Sequence, residues 1–176
     1  MKPPSKNLLP QNVAEQHPEA VLVVKTLNRA GFRTLWAGGC VRDLLLGRTC
    51  KDIDIATAAS PDEVEALFER THAIGKAFGV IQVMINEISF DVASFREDQN
   101  YTDGRHPDVI TPSTAELDAT RRDFTINGLF LDPCSGEILD VVGGRNDLEQ
   151  KMVRAIGDPD WAVMRMYAVG VPLGLG

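Results

Sequence analysis

Residues 38–57 read GGCVRDLLLGRTCKDIDIAT, and this stretch decides the fold class. The apolar run Phe32–Ala37 predicts a buried strand that ends at the glycine pair. Val41–Leu46 predicts a helix of about two turns that Gly47 ends. Lys51–Ala56 predicts a second strand. A strand, a turn, a helix and a strand in such close succession indicate an α/β domain.

The rest of the chain continues this alternation of helices and strands. Apolar residues at helical spacing follow Pro18 up to Gly31, and Ser60-Pro61-Asp62-Glu63 has the form of a capping box that opens another helix. Further helices are predicted at Ala115–Phe130 and Asn146–Lys151. Strands are predicted at Val80–Ile85, Ile88–Phe95, the hairpin Leu131–Val142 and Val153–Ile156, with a polar loop at Glu97–Pro112. We therefore expect a mixed sheet with flanking helices.

Composition limits the class of protein. The 176 residues are 44% hydrophobic and 24% charged, which suits one globular domain. The formal net charge of −7 gives the chain no overall basic footprint for nucleic acid. Cys40, Cys50 and Cys134 lack the spacing of a disulfide framework or a zinc site, which favours a reducing compartment. No apolar run has the length of a membrane span, so we expect a cytoplasmic protein without a membrane partner.

Two aspartates alternate in the second predicted strand. Asp52 and Asp54 would point to the same face of that strand, because side chains at i and i+2 share a face. Two close carboxylates repel each other unless a cation lies between them, and Mg²⁺ prefers oxygen ligands. The pair therefore predicts a seat for Mg²⁺ and a nucleotide. The alternative is a solvent-facing pair on an exposed edge of the sheet.

A phosphate-binding turn is predicted just before these aspartates. Gly38 and Gly39 join a strand to a helix, where backbone N–H groups can approach a phosphate closely. Arg42 on the first turn of that helix adds a cation, and it precedes Asp52 by ten residues. The alternative is an ordinary strand-to-helix turn. The nearness of the turn to the aspartates favours the phosphate site.

Two more segments supply polar groups. Asp91 alternates with Phe90 and Val92, so it points away from the core and would complete a two-metal site if its strand adjoined the first aspartates. Arg121 and Arg122 suit bidentate contacts with phosphate. The alternatives are a surface aspartate on a half-buried strand and a solvated helix start capped by Asp123.

The chain resembles a known family in ordered blocks along most of its length. The blocks are GGCVRDLLLG (38–47), KDIDIAT (51–57), FDVASFR (90–96), DGRHPD (103–108), RRDFTIN (121–127) and the LDPCSGEILDVVGG that follows. They resemble the head domain of class II tRNA nucleotidyltransferases and bacterial poly(A) polymerases, over about residues 20–159. The resemblance implies a nucleotidyltransferase fold of the polymerase-β type.

The resemblance also implies roles for individual residues. Asp52, Asp54 and Asp91 would be the catalytic carboxylates that bind Mg²⁺, although the family usually carries Glu at the third position. The nucleotide would be bound by six residues: Gly38, Gly39, Arg42, Arg122, Asp123 and Asn127. DGRHPD resembles a flexible loop that helps the active site to switch states.

The family continues beyond the head into a helical neck and body that hold RNA and select the base. Here, residues 160–176 resemble only loosely the start of a neck, and residues 1–17 have the composition of a flexible tail, which leaves 18–159 as the head. Two explanations are open. The sequence is a fragment or a frame-shifted reading frame, or the head stands alone and an oligomer or a partner chain supplies the neck and body.

The expected function is template-independent transfer of a nucleotide from an NTP, ATP or CTP, to an RNA 3′ end. CCA addition to tRNA is the first expectation. Poly(A) addition is one alternative, and a head that binds Mg-NTP without extending RNA is another. A metal-dependent phosphohydrolase that uses the same carboxylates is a third.

Overall fold

The structure is a computed structural model, and it describes residues 12–97, 113–157 and 159. Within these residues the helices are α1 (Asn12–Glu15), α2 (Pro18–Arg29), α3 (Gly39–Leu45), α4 (Pro61–Leu67), α5 (Ala115–Thr120) and α6 (Gly144–Glu149), with short 3₁₀ turns at Lys76–Phe78 and Thr125–Asn127. The strands are β1 (Thr34–Ala37), β2 (Asp54–Thr57), β3 (Thr71–Gly75), β4 (Val80–Ile85), β5 (Ile88–Ser94), β6 (Leu129–Leu131) and β7 (Ile138–Asp140).

These strands form one mixed sheet in the order β3-β4-β5-β2-β1-β6-β7. Only β2 and β5 run parallel among the neighbouring pairs of this sheet. Their connection passes through α4, β3 and β4, which is the long crossover that a parallel pair requires. The predicted fold class, a mixed sheet with flanking helices, is confirmed.

Each face of the sheet has its own apolar core. The larger core joins Trp36, Ile55 and Val92 to the buried sides of α2, α3 and α4. The smaller core lies on the opposite face and joins Ala56 and Phe130 to α5, among others. Residues that alternate along a strand therefore face different cores. Asp54 and Asp91, described below, lie on the face of the smaller core, because they alternate with Ile55 and Val92 of the larger core.

Several predicted elements are confirmed. Helix α2 buries the apolar residues at helical spacing, and the chain leaves it at Gly31, whose φ of +92° suits glycine. The capping box at Ser60 is present in both directions. Asn86 and Glu87 both have positive φ and join β4 to β5, as expected for a two-residue hairpin turn.

The second strand begins three residues later than predicted. Lys51 and Asp52 lie in a bend, and β2 starts at Asp54. The reason is its partner: Asp54 pairs with Ala37, the last residue of β1 before the glycine turn. No further residue of β1 is present to pair with residues 51–53. The prediction that Asp52 and Asp54 share one strand face was therefore wrong.

The predicted helix Ala115–Phe130 was also wrong beyond its first turns. Helix α5 ends at Thr120, and a 3₁₀ turn follows at Thr125–Asn127. Phe130 lies in β6 and pairs with Ala37. Burial of Leu129–Leu131 between β1 and β7 outweighs the helical spacing of this segment.

Two other differences concern short segments. Val153–Ile156 was predicted as a strand, but in the described chain it contributes an isolated bridge between Ala155 and Phe124. Strand β3 was not predicted, because its middle residues are all exposed and show no alternation. The first 11 residues, most of the loop Glu97–Pro112 and residues 160–176 lie outside the described residues.

None of the helices in the described part of the chain has both the length and the apolar character needed to cross a lipid bilayer.

Candidate active site

Two carboxylates lie side by side on the parallel strands at the centre of the sheet. Ile55 of β2 pairs with Val92 of β5, so Asp54 and Asp91 occupy the preceding positions of the two strands. Ile55 and Val92 are buried, whereas both aspartates are exposed on the other face. The predicted alternation of Asp91 with its apolar neighbours is confirmed. The long crossover thus brings together two residues that are far apart in sequence.

The surroundings of Asp54 disfavour the charged form of its carboxyl group. Although the residue is exposed at its surface, partial desolvation of the carboxyl group raises its pKa, and the nearby charge of Asp91 raises it further. The charge of Arg122 lowers this pKa, and Asp52 has a weaker raising effect. Asp54 is therefore a carboxylate whose charged form gains from any additional cation nearby.

A cavity of about 530 Å³ opens beside these carboxylates. Asp52, Asp54 and Asp91 all line it, together with Lys51, His17 and Glu19 among others. Asp52 reaches the cavity from the bend before β2. In the described part of the chain, no three His, Cys, Asp or Glu side chains lie close enough together to enclose a metal ion. The structure brings Asp54 and Asp91 together and places Asp52 on the same cavity wall.

The glycine turn lies directly beside Asp54, because Ala37 pairs with Asp54 and is followed by Gly38. Gly38 has φ +71° and ψ −136°, which L side chains rarely adopt. Its N–H donates to the carbonyl of Leu129 over 3.1 Å. A Cβ at Gly38 would lie 3.3 Å from Nη1 of Arg122, and one at Gly39 would lie 3.4 Å from Nη2 of Arg42. The two glycines therefore leave room for two guanidinium groups.

Arg42 is held at this turn by the 3₁₀ turn that precedes β6. Its Nη1 donates to Oδ1 of Asn127 over 2.8 Å, and its Nε donates to Asp43 over 3.1 Å. The Nδ2 of Asn127 donates in turn to Oδ1 of Asp123 over 3.1 Å. The same Asp123 oxygen accepts the N–H of Phe124. Arg42, Asn127 and Asp123 thus form one hydrogen-bonded chain.

Arg122 is fixed from two sides. Its guanidinium lies over the ring of Phe130, 5.0 Å from the ring centroid. Its Nε and Nη2 donate to Oδ2 of Asp118 over 3.2 and 2.9 Å. Asp118 is not among the residues predicted from the sequence. Its spacing of three and four residues from Arg121 and Arg122 was the available signal, because such pairs meet on one helix face.

The donor chemistry fits a divalent cation at the carboxylates. Asp54 and Asp91 are oxygen donors on adjacent strands, and their mutual repulsion would be relieved by a cation between them. The glycine turn alongside offers a cradle that a Cβ would narrow. A metal bound by the aspartates and an anion bound at the turn would therefore be neighbours.

This geometry, with paired carboxylates and two arginines around a glycine turn on a mixed sheet, is that of a nucleotidyltransferase fold. The family model of the poly A polymerase head domain matches residues 34–154. The chain belongs to this family, the head domain shared by class II tRNA nucleotidyltransferases and bacterial poly(A) polymerases.

The curated relatives include two CCA-adding enzymes of bacilli. The chain is 43% identical over 146 residues to the CCA-adding enzyme of Bacillus pumilus, which covers 82% of this chain and 36% of that enzyme. It is 41% identical over 143 residues to that of Bacillus subtilis, with 81% and 36% covered. The chain therefore spans about a third of the length of these relatives.

Solved structures agree with this assignment. The crystal structure of the Bacillus stearothermophilus CCA-adding enzyme in complex with CTP matches with a TM-score of 0.75 and 31% identity, and covers 99% of this chain and 40% of that one. A tRNA nucleotidyltransferase complexed with a primer tRNA and an incoming ATP analog matches with a TM-score of 0.61 and 27% identity. That match covers 77% of this chain and 39% of the other.

Proposed function

We propose that this chain is the catalytic head of an enzyme that adds CCA to tRNA. The head would transfer nucleotides from CTP and ATP to the RNA 3′ end without a template. Support comes from the family and from relatives named as CCA-adding enzymes. The related structures with bound CTP, and with a primer tRNA and an ATP analog, support these substrates.

One observation supports this function most strongly. The residue paired with Asp54 is followed directly by the Gly38–Gly39 turn, and Arg122 serves both places. A phosphate held at the turn would lie next to the carboxylates. Nucleotidyl transfer requires this arrangement, since the triphosphate and the attacking hydroxyl must be positioned together.

Asp52, Asp54 and Asp91 would hold Mg²⁺ ions in this proposal, and members of the family generally use divalent metals. Bound there, Mg²⁺ supplies Lewis-acid stabilisation of the charge on the phosphoryl oxygens and of the attacking oxygen. The choice of Mg²⁺ follows from the hard oxygen ligands.

The other residues would bind and orient the nucleotide. Arg42 and Arg122 would contact the triphosphate and neutralise charge as pyrophosphate leaves. The Gly38–Gly39 backbone would approach the phosphates closely. Asp123 and Asn127 would support Arg42 and contact the ribose. In the transfer, the RNA 3′ oxygen forms its bond to the α-phosphorus, the bond from that phosphorus to the pyrophosphate oxygen breaks, and the hydroxyl proton passes to water.

The proposal extends to the surroundings of the head. Residues 18–159 would form the head, with 1–17 as a tail and 160–176 as the start of a neck. A cytoplasmic location belongs to this proposal, because tRNA is the expected substrate and the three cysteines are free thiols.

The test is incorporation of each labelled NTP by the 176-residue chain with Mg²⁺. One substrate is tRNA lacking its 3′ CCA, and the other is an oligoadenylate primer. Asp54→Asn is the test variant. Asp62→Asn is the matched control, because its side chain is 85% exposed and it lies on α4, outside the site.

We expect incorporation of CMP and AMP into tRNA by the wild type and Asp62→Asn, and none by Asp54→Asn. If AMP alone is incorporated, and only into oligoadenylate, the function is poly(A) addition and not CCA addition. Binding of Mg-NTP without extension would support the head as a binding module. Release of phosphate without RNA would indicate a phosphohydrolase.

A further inference from the structure

Asp118 is an almost wholly buried charge that the proposed catalytic roles leave unused. Its side chain is 1% exposed, and it lies on α5, on the sheet face that carries Asp54. A buried carboxylate is costly unless hydrogen bonds and counter-charges compensate it. The partners of Asp118 therefore indicate its role.

Both oxygens of Asp118 are occupied by protein donors. Oδ1 accepts the N–H of Arg96 over 3.1 Å and Nε of Arg121 over 2.9 Å. Oδ2 accepts Nε and Nη2 of Arg122 over 3.2 and 2.9 Å. These donors saturate the carboxylate, so Asp118 has little capacity left for a metal ion. Its chemistry is to hold arginines.

The contact with Arg122 fixes the plane of the guanidinium as well as its position. Two nitrogens of the fork bind one oxygen of Asp118, and the ring of Phe130 lies beneath the group. The remaining nitrogen, Nη1, is the atom that lies 3.3 Å from a Cβ built on Gly38. The fixed fork therefore presents Nη1 to the glycine turn.

We infer that Asp118 is a positioning residue for the triphosphate, acting through Arg122. It aims Nη1 at the phosphate turn and keeps the guanidinium near Asp54, on whose carboxyl group its charge acts. Without its bonds to Asp118, Arg122 would lose its fixed orientation. Each hydrogen bond from Arg122 to a ligand would then be weaker, because binding would have to restrict the rotamers of the side chain. This inference rests on the proposed nucleotide site and adds to it the residue that orients one of its two arginines.

The test is a double-mutant cycle on nucleotide binding. Asp118→Asn keeps the shape of the side chain and removes the charge, and Arg122→Lys removes the fork. Affinities for CTP and CMP with Mg²⁺ are measured by titration for the wild type, both single variants and the double variant. Glu116→Gln is the matched control, because Glu116 lies on the same helix and binds Arg33 at the exposed surface.

We expect Asp118→Asn to weaken CTP binding about tenfold, as for loss of one oriented charge-assisted hydrogen bond, and to change CMP binding little. The double variant should bind CTP no worse than Arg122→Lys alone, because both changes remove the same contact. Glu116→Gln should match the wild type. Additive losses, or equal losses for CTP and CMP, would overturn the inference.

A second variant covers loss of stability in Asp118→Asn. Asp118→Glu keeps the charge but displaces it by one methylene, so it should fold and still lower the preference for CTP over CMP. Unchanged preference in a folded Asp118→Glu or Asp118→Asn protein would count against the positioning role. Because these readouts measure binding, they remain decisive even when the chain extends no RNA. Wild-type extension of tRNA alongside an additive cycle would leave the proposed function intact.

Discussion

Nη1 of Arg42 lies 2.8 Å from Oδ1 of Asn127, across 85 residues of sequence. This bond joins the helix after the glycine turn to the 3₁₀ turn before β6. Arg42 is part-buried here, and the amide oxygen is the acceptor that holds its guanidinium at the turn. The positions of the two segments therefore depend on each other.

Removal of this acceptor should loosen Arg42. We expect Asn127→Ala to raise the KM for NTP about five- to tenfold with a smaller change in kcat. The reason is that Asn127 holds Arg42, and Arg42 contributes mainly to substrate binding in the proposed site. Steady-state kinetics with CTP and ATP measure the effect. Asn146→Ala is the control. Asn146 is an exposed residue of α6, and in the described structure its side chain accepts a hydrogen bond only from the side chain of Gln150. An unchanged KM in Asn127→Ala would show that Arg42 needs no such support.

Gly38 should be replaceable only at the expense of both stability and nucleotide binding. Its positive φ makes alanine strained by about 1–3 kcal/mol, and the new Cβ would crowd Nη1 of Arg122. Gly38→Ala should therefore lower the melting temperature and weaken CTP binding. Gly47→Ala is the matched variant, because Gly47 also has φ +71° but has no atom within 4 Å of its Cβ position. It should lose stability and keep its affinity for CTP.

In the absence of metal ions, the charge of Asp54 should lower the stability of the folded protein. Partial desolvation and the charge of Asp91 both disfavour its ionised form. Without divalent ions, Asp54→Asn should melt about 1–3 °C above the wild type, because solvent screens much of this repulsion. Added Mg²⁺ should raise the melting temperature of the wild type, since it binds only the folded state, and should do so less in Asp54→Asn. Equal Mg²⁺ responses of the two proteins would argue against a metal at Asp54.

Asp147 should make the fold sensitive to acid. The hydrogen bond from Oγ1 of Thr125 lowers the pKa of this carboxyl, and Arg154 lowers it further. Its folded pKa is then below the unfolded value of about 3.8, so its contribution to stability is complete above that value. The contribution is lost as the pH falls through the folded pKa. Unfolding midpoints in urea from pH 6 to pH 2 measure it.

The variant Asp147→Asn should be less stable than the wild type at pH 6, and the difference should shrink towards pH 2. Glu149→Gln is the control, because it makes the same change of charge at an exposed position of the same helix. A stability difference that stays constant over this pH range would contradict the assignment of the acid response to Asp147.

The sequence predicted those parts of the fold that depend on local signals. The apolar periodicity of α2, the capping box at Ser60 and the turn at Asn86-Glu87 are properties of neighbouring residues, and all were found. The start of β2 was misplaced because it depends on where β1 ends. That limit is set by a partner strand, which no local pattern reports.

The same distinction between local signals and long-range contacts applies to the candidate site. Asp54, Asp91 and the glycine turn were recognisable from residue type and alternation. The parallel pairing that puts the two aspartates side by side is a long-range contact. The sequence therefore predicted a role for Asp91 only on the condition that its strand adjoined that of Asp54. Asp118 was not singled out, although its spacing from Arg121 and Arg122 was visible in the sequence. Its burial depends on the packing of α5 against the sheet and on a bond from the N–H of Arg96, which are long-range contacts.

The bond from the N–H of Gly38 to the carbonyl of Leu129 has a consequence for synthesis on the ribosome. A nascent chain that has emerged through β5 already carries both aspartates of the central pair. It still lacks Arg122, which offsets their repulsion, and the carbonyl that fixes the glycine turn. Because such distant contacts form late, the proposed nucleotide site is complete only when β6 has emerged. A translation product that stops earlier would carry the carboxylates without a working cradle.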